Sequence, residues 1–526
     1  MKIRKYSSLA PIKINDKIYT LKIKTESKAL GVFKSFVVLG LIFLQLVFFI
    51  LAAVSSSQAY QWFLFLSLSL SLVASLHVLS SDYHGQAKAT WILFLLVGYS
   101  FGYIIYFFSD KRILFAKSRK KYEKILTNSE NLQKQINLDN MSPDIKNKCH
   151  FLYNSGKFIA HTKSKTTYYP SGASLYDDIL EHLQNAKHFI FIEYYIVASG
   201  VLFDRFFDVL SQKAMQGVDV RIIYDDMGSH GTLKRKTKKQ LAKSNIKIHP
   251  FNRLVPLFNI ALNLRDHRKI VVIDGKVCYT GGTNLADEYV NEKRVYGYWK
   301  DAGIKIEGKA TDNFTIAFLN QWEFLTGEQI EYKNYLELAS DFEETNQVVV
   351  PYVSGPNYKI SIAQNMYMSE IASAKEKLYI MTPYFVPDET LNNMLIEKAR
   401  EGVDVRIILP HIADKKFVYV VSRNNAEKLM EHGIKIYTMT HSFVHTKVIY
   451  TEQSAIVGSI NVDLRSFFQQ FESAVLTTET HTLESIYQDF EKTLSYCKQV
   501  TDQTKKRNKL FYRILAGIFK IISPFM

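Results

Sequence analysis

The hydrophobic pattern divides the chain into two regimes. Near the N-terminus three apolar stretches without a formal charge follow one another, at 36–54, 60–79 and roughly 90–108. Each is 19 or 20 residues long, about 30 Å as helix, which matches the hydrocarbon core of a bilayer. They are too long and too many for a cleaved signal peptide, and three in a row are hard to read as buried globular helices. The Leu-Ser alternation at 66–72 is the weakest of the spans; serines can bond their own helix backbone, so a span is tolerable, and an in-plane or re-entrant segment stays open. After a polar, helical linker (110–165) the pattern changes. Short apolar runs of strand type, such as 189–196 and 378–385, alternate with amphipathic stretches of helical period at 203–216 and 389–400. The heptapeptide Gly-Val-Asp-Val-Arg-Ile-Ile occurs identically at 217–223 and 402–408, so the alternation is duplicated. Each copy reads strand, helix, strand, helix and a further strand, which predicts a sheet covered by helices. A polar stretch at 327–351 separates the copies.

Composition narrows the partners. With 526 residues the chain exceeds one core, and three widely spaced cysteines (Cys149, Cys278, Cys497) form neither a disulfide framework nor a thiolate metal site. The net charge of +16 implies an anionic partner, and the apolar spans favour an anionic membrane over nucleic acid. Residues 1–35 carry nine Lys/Arg and residues 111–124 carry seven. Three full spans would put these basic segments on opposite sides, so one span is incomplete or one segment is overruled. The cluster directly after the third span favours the cytoplasm for everything that follows. At 505–526 a basic cluster precedes apolar pairs spaced three to four residues apart, beside Lys509, Arg513 and Lys520. This describes an amphipathic helix lying on anionic lipid or docked on the protein.

The chemistry sits in two strings. His267-Arg-Lys269 runs on to Asp274, and 178 residues later His445-Thr-Lys447 runs on to Glu452. On a strand, i and i+2 share a face, so each string offers an imidazole and an ammonium to one spot. A lone His-x-Lys usually marks a solvated edge. Here both copies are followed, 17 and 16 residues past the histidine, by a small-residue turn ending in an amide: Gly281-Gly282-Thr283-Asn284 and Gly458-Ser459-Ile460-Asn461. Glycines there let backbone approach a ligand, and the amides can donate to a phosphoryl oxygen. Two imidazoles and two lysines suit a phosphodiester, with one histidine attacking phosphorus, the other protonating the leaving oxygen and the lysines neutralising charge. Counting by two from Lys269 turns residue 274 away from His267, so the terminal acid reads as structural, and Glu452 should tie down its own shortened turn. Asp225-Asp226, at a strand end without a His or Cys cluster, reads as a polar loop rather than a metal site.

These strings, with Ile192-Glu-Tyr-Tyr-Ile196, Tyr224-Asp-Asp-Met-Gly-Ser229, Trp299-Lys-Asp301, Thr382-Pro-Tyr-Phe385 and Val457-Gly-Ser-Ile-Asn461, resemble the phospholipase D superfamily and, within it, the membrane-anchored bacterial cardiolipin synthases. The resemblance covers nearly everything from residue 85 onward. It implies an α/β fold of two fused phospholipase D-like α-β-α sandwich units related by a pseudo-two-fold, behind an N-terminal transmembrane helical region. The expected divisions are a membrane region at 1–109, a linker at 110–165, units at 166–335 and 345–500, and a basic amphipathic helix at 505–526. It also implies a multi-pass protein of a bacterial cell membrane with cytoplasmic catalytic units. The implied reaction joins two phosphatidylglycerol molecules into cardiolipin and glycerol through a phosphatidyl-histidine, without cofactor, metal or nucleic acid. The implied catalytic set is His267, Lys269, Asp274, His445, Lys447 and Glu452, supported by Asn284, Asn461, Ser459, Asp301 and Glu472. His267 is the implied nucleophile with Asp301 as its partner, while Asp301 and Glu472 orient the imidazoles from behind. Another acceptor alcohol, simple hydrolysis, a phosphodiester nuclease and a catalytically inert membrane scaffold remain as alternatives.

Overall fold

The computed structural model describes most of residues 58–522; residues 1–39, most of 40–57, 254–263, 523–526 and a few isolated positions lie outside the description. The first expected span therefore falls largely outside the described residues. The second and third form the helices Gln58–Leu79 and Gly85–Ser109, which pack on each other. Only Gln61–Leu79, among the described residues, is long and apolar enough to cross a membrane. In it Ser67, Ser71 and Ser75 are buried while Leu66, Leu68 and Leu72 face outward, so the alternation separates two faces of one helix. Ser75 Oγ donates to the Ser71 carbonyl at 2.8 Å and Ser69 Oγ to that of Phe65 at 2.8 Å, which satisfies the hydroxyls within the helix.

Two sheets carry the rest. The first has seven strands, in the spatial order Ser164–Tyr169, Gly303–Gly308, Val277–Gly281, Lys269–Ile273, Phe189–Tyr194, Asp219–Asp225 and Lys247–Phe251. The second repeats that order with Val349–Ser354, Gln470–Thr477, Ala455–Gly458, Val448–Thr451, Lys377–Met381, Asp404–Pro410 and Lys435–Met439, then adds Cys497–Gln499. The central strands are buried along their whole length, as expected when helices cover both faces. Each identical heptapeptide is a helix-to-strand turn: Gly217 (φ 90°) and Gly402 (φ 95°) occupy the left-handed region that glycine adopts without strain. The observed helices Val201–Met215 and Glu389–Arg400 occupy the expected places, whereas the strands Lys247–Phe251 and Lys435–Met439 and the edge strands Ser164–Tyr169 and Val349–Ser354 were not anticipated.

The linker is part of the core. Its helix Pro143–Gly156 buries Ile145, Cys149 and Leu152, and Lys148 forms a buried ion pair at 2.6 Å with Glu370 of the second unit. Residues 164–165 already belong to the first sheet. The C-terminal helix Leu510–Ile522 docks on the helix Lys416–Leu429 through Phe519 against Phe417 and a Tyr512 hydroxyl that donates to the Val420 carbonyl. It also meets Gly85–Ser109, where Thr90 Oγ1 donates to the Ile521 carbonyl at 2.6 Å. Its other face leaves Leu510, Phe511, Ile514, Ile518 and Ile521 exposed.

Candidate active site

His267 lies between the two-residue strand Arg265–Asp266 and Lys269–Ile273; His445 lies between Ser442–Val444 and Val448–Thr451. The two-residue strand runs parallel to Gln470–Thr477, and His267 N donates to the Phe471 carbonyl at 2.8 Å. Correspondingly, Ser442–Val444 runs parallel to Tyr298–Lys300, and His445 N donates to the Lys300 carbonyl at 2.7 Å. Each histidine is thus held by a strand of the other unit, and the residue after each accepting carbonyl is an acid. His267 Nδ1 is 2.9 Å from Glu472 Oε2, and His445 Nδ1 is 2.7 Å from Asp301 Oδ2. This exchange corrects the pairing of Asp301 with His267. A reading along one unit could not find it, because each acid is closer in sequence to the wrong histidine.

Both imidazoles are buried and turn their Nδ1 toward a carboxylate, which fixes that nitrogen as the donor and aims Nε2 away from the acid. Burial lowers His267 well below the usual histidine range, helped by the charges of Lys269, Lys447, His445 and Arg465. Burial and Lys447 take His445 down to about 4 against the pull of Asp301. Ser473, next to Glu472, accepts from Lys269 N at 3.3 Å and bonds Thr280 Oγ1 at 2.9 Å, and Gly282 lies against both Asp301 and the His445 carbonyl, so the two half-sites form one locus. The lysines bend back to it: Lys269 Nζ donates to the His267 carbonyl at 2.6 Å and Lys447 Nζ to that of His445. Burial lowers Lys269 to about 7 and Lys447 to about 8, with nearby carboxylates opposing it. Burial pushes Glu472 up to about 8, opposed by Lys269 and by the Ser459 and Ser466 hydroxyls.

The glycine turns serve a different end from the one expected. A methyl group on Gly282 would sit 2.0 Å from Asp301 Oδ1, and one on Gly458 would sit 2.2 Å from the Ser473 carbonyl. The missing side chains admit the acid and its strand rather than a ligand. Asn284 is likewise engaged: its carbonyl accepts from Ile196 N at 3.0 Å and its amide donates to the Tyr289 hydroxyl at 2.5 Å. Ser459 donates to Glu472 and accepts from Ser473 N at 2.9 Å, so it braces the acid. The Asn461 side-chain oxygen is buried without a partner among the described residues.

Asp274 and Glu452 are remote from the imidazoles in function as well as in strand face. Asp274 accepts from the backbone N–H groups of Lys187, His188 and Phe189, and Glu452 from those of Lys375, Glu376 and Lys377. Each acid ties the start of the neighbouring strand, which corrects both their inclusion in the catalytic set and the idea that Glu452 holds its own turn. Asp225 is buried and accepts from Met227 N, Gly228 N and Asp266 N, so it shapes the backbone before His267. Among the described residues no three or more His, Cys, Asp or Glu side chains are grouped so as to hold a metal ion. The sequence reading missed an aromatic surround: Tyr195 stands edge-on to His267 at 5.1 Å, and Tyr289, Trp299 and Phe443 lie 5.1–5.7 Å from His445. Trp299, two residues before Asp301, was the available signal.

The comparisons with known proteins agree with this architecture. The family model described as cardiolipin synthase, PLD-like domain, matches residues 179–308 and 367–494. A cardiolipin synthase of Halalkalibacterium halodurans is 31% identical over 457 residues, 84% of this chain and 90% of that protein. One of Geobacillus kaustophilus is 32% identical over 388 residues, 73% of this chain and 77% of that protein. The crystal structure of phosphatidylserine synthase from Haemophilus influenzae shares the fold, with a TM-score of 0.55 at 16% identity, over 73% of this chain and all of that one. Two sheets of one strand order, two exchanged histidine–acid pairs and these relatives lead to one conclusion: the chain belongs to the cardiolipin synthase family of the phospholipase D superfamily and is a phosphatidyltransferase.

Proposed function

We propose that the enzyme transfers the phosphatidyl group of one phosphatidylglycerol to another, giving cardiolipin and free glycerol through a phosphatidyl-histidine. The observation that carries this is the pair of buried imidazoles, each oriented by an acid from the opposite unit, with two lysines at the same locus. His267 Nε2 attacks phosphorus, and the bond from phosphorus to the glycerol oxygen breaks as that oxygen takes a proton from the His445 imidazolium, a form that burial and Lys447 disfavour and the negative charge of the bound diester favours. His445 then removes the proton of an incoming glycerol hydroxyl, whose oxygen displaces His267 from phosphorus. One difficult displacement becomes two easier ones. Lys269 and Lys447 hold the phosphoryl oxygens, and the negative charge of the diester in turn favours their ammonium forms. No metal is assigned a role.

The membrane-embedded reading rests on the apolar helix Gln61–Leu79 and on what surrounds it. His84, after that helix, stacks on Phe468 at 4.8 Å, close behind the Asn461 turn of the site. The exposed apolar face of Leu510–Ile522, flanked by Lys505, Lys509 and Arg513, suits the surface of an anionic leaflet. Several N-terminal spans with cytoplasmic catalytic units complete this reading. The test is detergent-solubilised protein incubated with phosphatidylglycerol, with lipids resolved by mass spectrometry. Cardiolipin and glycerol should appear in equal amounts and persist in excess chelator; activity lost to chelator and restored by magnesium or manganese would overturn the mechanism.

A further inference from the structure

The two half-sites differ in one carboxylate that the reaction above does not use. Counting from the identical heptapeptides, residue 229 of the first unit corresponds to residue 414 of the second. The first is Ser229, fully buried, whose hydroxyl accepts from Val197 N at 3.0 Å and donates to the Tyr195 carbonyl at 3.2 Å. The second is Asp414, half-exposed in the loop that leads into the helix Lys416–Leu429. Its Oδ1 accepts from Lys415 N at 2.6 Å, and its Oδ2 accepts from the Tyr384 hydroxyl.

This pair stands beside the His445 half of the site. Tyr384 immediately precedes the strand Phe385–Val386, which pairs with Val462–Asp463 and so adjoins Asn461. Asn461 is 4% exposed, and its side-chain oxygen lacks a partner among the described residues. The loop of Asp414 is tied to the strand leading into His445 by Ile412 N, which donates to the Ser442 carbonyl at 3.4 Å. The Asp414 charge acts on Lys447 and on Tyr289, whose ring is 5.4 Å from that of His445. Of the neighbouring groups, Asp463 caps the helix Leu464–Phe468 through Ser466 N at 2.7 Å, Lys415 Nζ lies 5.3 Å over the Tyr384 ring, and the Arg465 charge acts on both Asp463 and Lys415.

A carboxylate beside a site for an anionic diester repels the phosphate, so its presence calls for a ligand group that donates. Asp414 and the Asn461 oxygen are both acceptors. A polyol supplies donors: when one hydroxyl attacks phosphorus, the neighbouring hydroxyl is free to bond an acceptor. We propose that Asp414, oriented by Tyr384 and supported by Asn461, is a head-group subsite that reads the hydroxyl adjacent to the attacking one, and so selects a vicinal diol as the phosphatidyl acceptor. This rests on the transfer reading given above. It makes Asp414 a specificity-determining residue rather than a proton carrier.

The experiment is an internal competition. The full-length enzyme in detergent micelles receives phosphatidylglycerol as donor with equal concentrations of 1,2-propanediol and 1-propanol, which differ by that one hydroxyl. Mass spectrometry gives the ratio of phosphatidylpropanediol to phosphatidylpropanol, a quantity insensitive to general loss of activity. The wild type should favour the diol, and Asp414→Asn should lower the ratio by about tenfold or more, since a site built to bond a hydroxyl discriminates strongly against its absence. If Asp414→Asn does not fold, Tyr384→Phe, which keeps the carboxylate but unties it, must lower the ratio in the same sense. A wild type without preference for the diol, or a variant with an unchanged ratio whatever its total rate, overturns the subsite. A wild type that makes cardiolipin with a flat ratio sinks the subsite alone, while one that makes no cardiolipin and neither alcohol product sinks the transfer reading and the subsite with it.

Discussion

Asp274 in the first unit and Glu452 in the second do one job with different side chains, whereas Asp301 and Glu472 do another by trading places. The first pair each collect three consecutive backbone amides at the start of the adjacent strand. One extra methylene is tolerated there because a carboxylate can meet a row of N–H groups from either distance. The second pair each face the histidine of the other unit. Burial raises Glu472 against the pull of Lys269 and lowers both imidazoles, at His445 against the pull of Asp301. Motif likeness is thus a poor guide to role, and the position of the backbone partner is a better one.

The largest effect expected from breaking this comparison is at the histidines. His267→Asn and His445→Asn should each remove nearly all turnover, a loss of several orders of magnitude. With substrate labelled in the phosphate and an alkaline detergent quench, which spares the acid-labile P–N bond, label should collect on His267 in the His445→Asn protein and be absent from the His267→Asn protein. Label on His445 in the His267→Asn protein, and not the reverse, would exchange the two roles.

Next come the exchanged acids. Glu472→Gln and Asp301→Asn remove the group that fixes each tautomer, and by analogy with hydrolase triads each should cost roughly 10²–10⁴ in kcat. Single-turnover rates sharpen the pairing. Glu472→Gln should add little to the defect of His267→Asn but should compound that of Asp301→Asn; the opposite pattern would return Asp301 to His267.

A smaller effect is expected with pH. The ammonium forms of Lys269 and Lys447, lowered to about 7 and about 8, are present below those values and lost as pH rises through them. The charge that holds the phosphate therefore falls away above neutrality, and kcat/KM should decline as pH rises through about 7 to about 8. Lys269→Arg replaces the group that deprotonates first, keeps its charge at all these values and should move the alkaline decline up toward about 8. A decline that does not move would take Lys269 out of phosphate binding.

The smallest effect is at the strand-tying acids. Burial raises Glu452, but the amides of Lys377, Lys375 and Glu376 bring it below the usual carboxylate range. Glu452→Gln should lower the melting temperature through the loss of about 1–2 kcal/mol and keep most of the turnover, as should Asp274→Asn. A folded Glu452→Gln protein as inactive as His445→Asn would put the residue back among the catalytic groups.

Much of this was legible from the chain because it is local. The His-x-Lys spacing marked both half-sites, although His267 and His445 sit in the breaks before their strands rather than on them, and the repeated heptapeptide announced two copies of one sheet. Residue 274 turning away from His267 followed from counting by two from Lys269. What was not legible depends on contacts between distant segments. The strand holding Glu472 reaches His267 across 205 residues, and nothing in either string records that a parallel pairing joins them. Asn284 looked like a phosphate donor because its type and spacing fit; only the fold reveals Ile196 N and Tyr289 occupying it. The short strands and the aromatic surround escaped for the same reason.

The exchange of acids also governs when the enzyme comes to life. A chain still being synthesised, with its first unit complete, carries His267 without Glu472 and Asp301 without His445. His267 is not oriented until Gln470–Thr477 has emerged from the ribosome and joined its parallel partner at Arg265–Asp266. A nascent chain therefore lacks its oriented His267 until nearly the last of the second sheet is made.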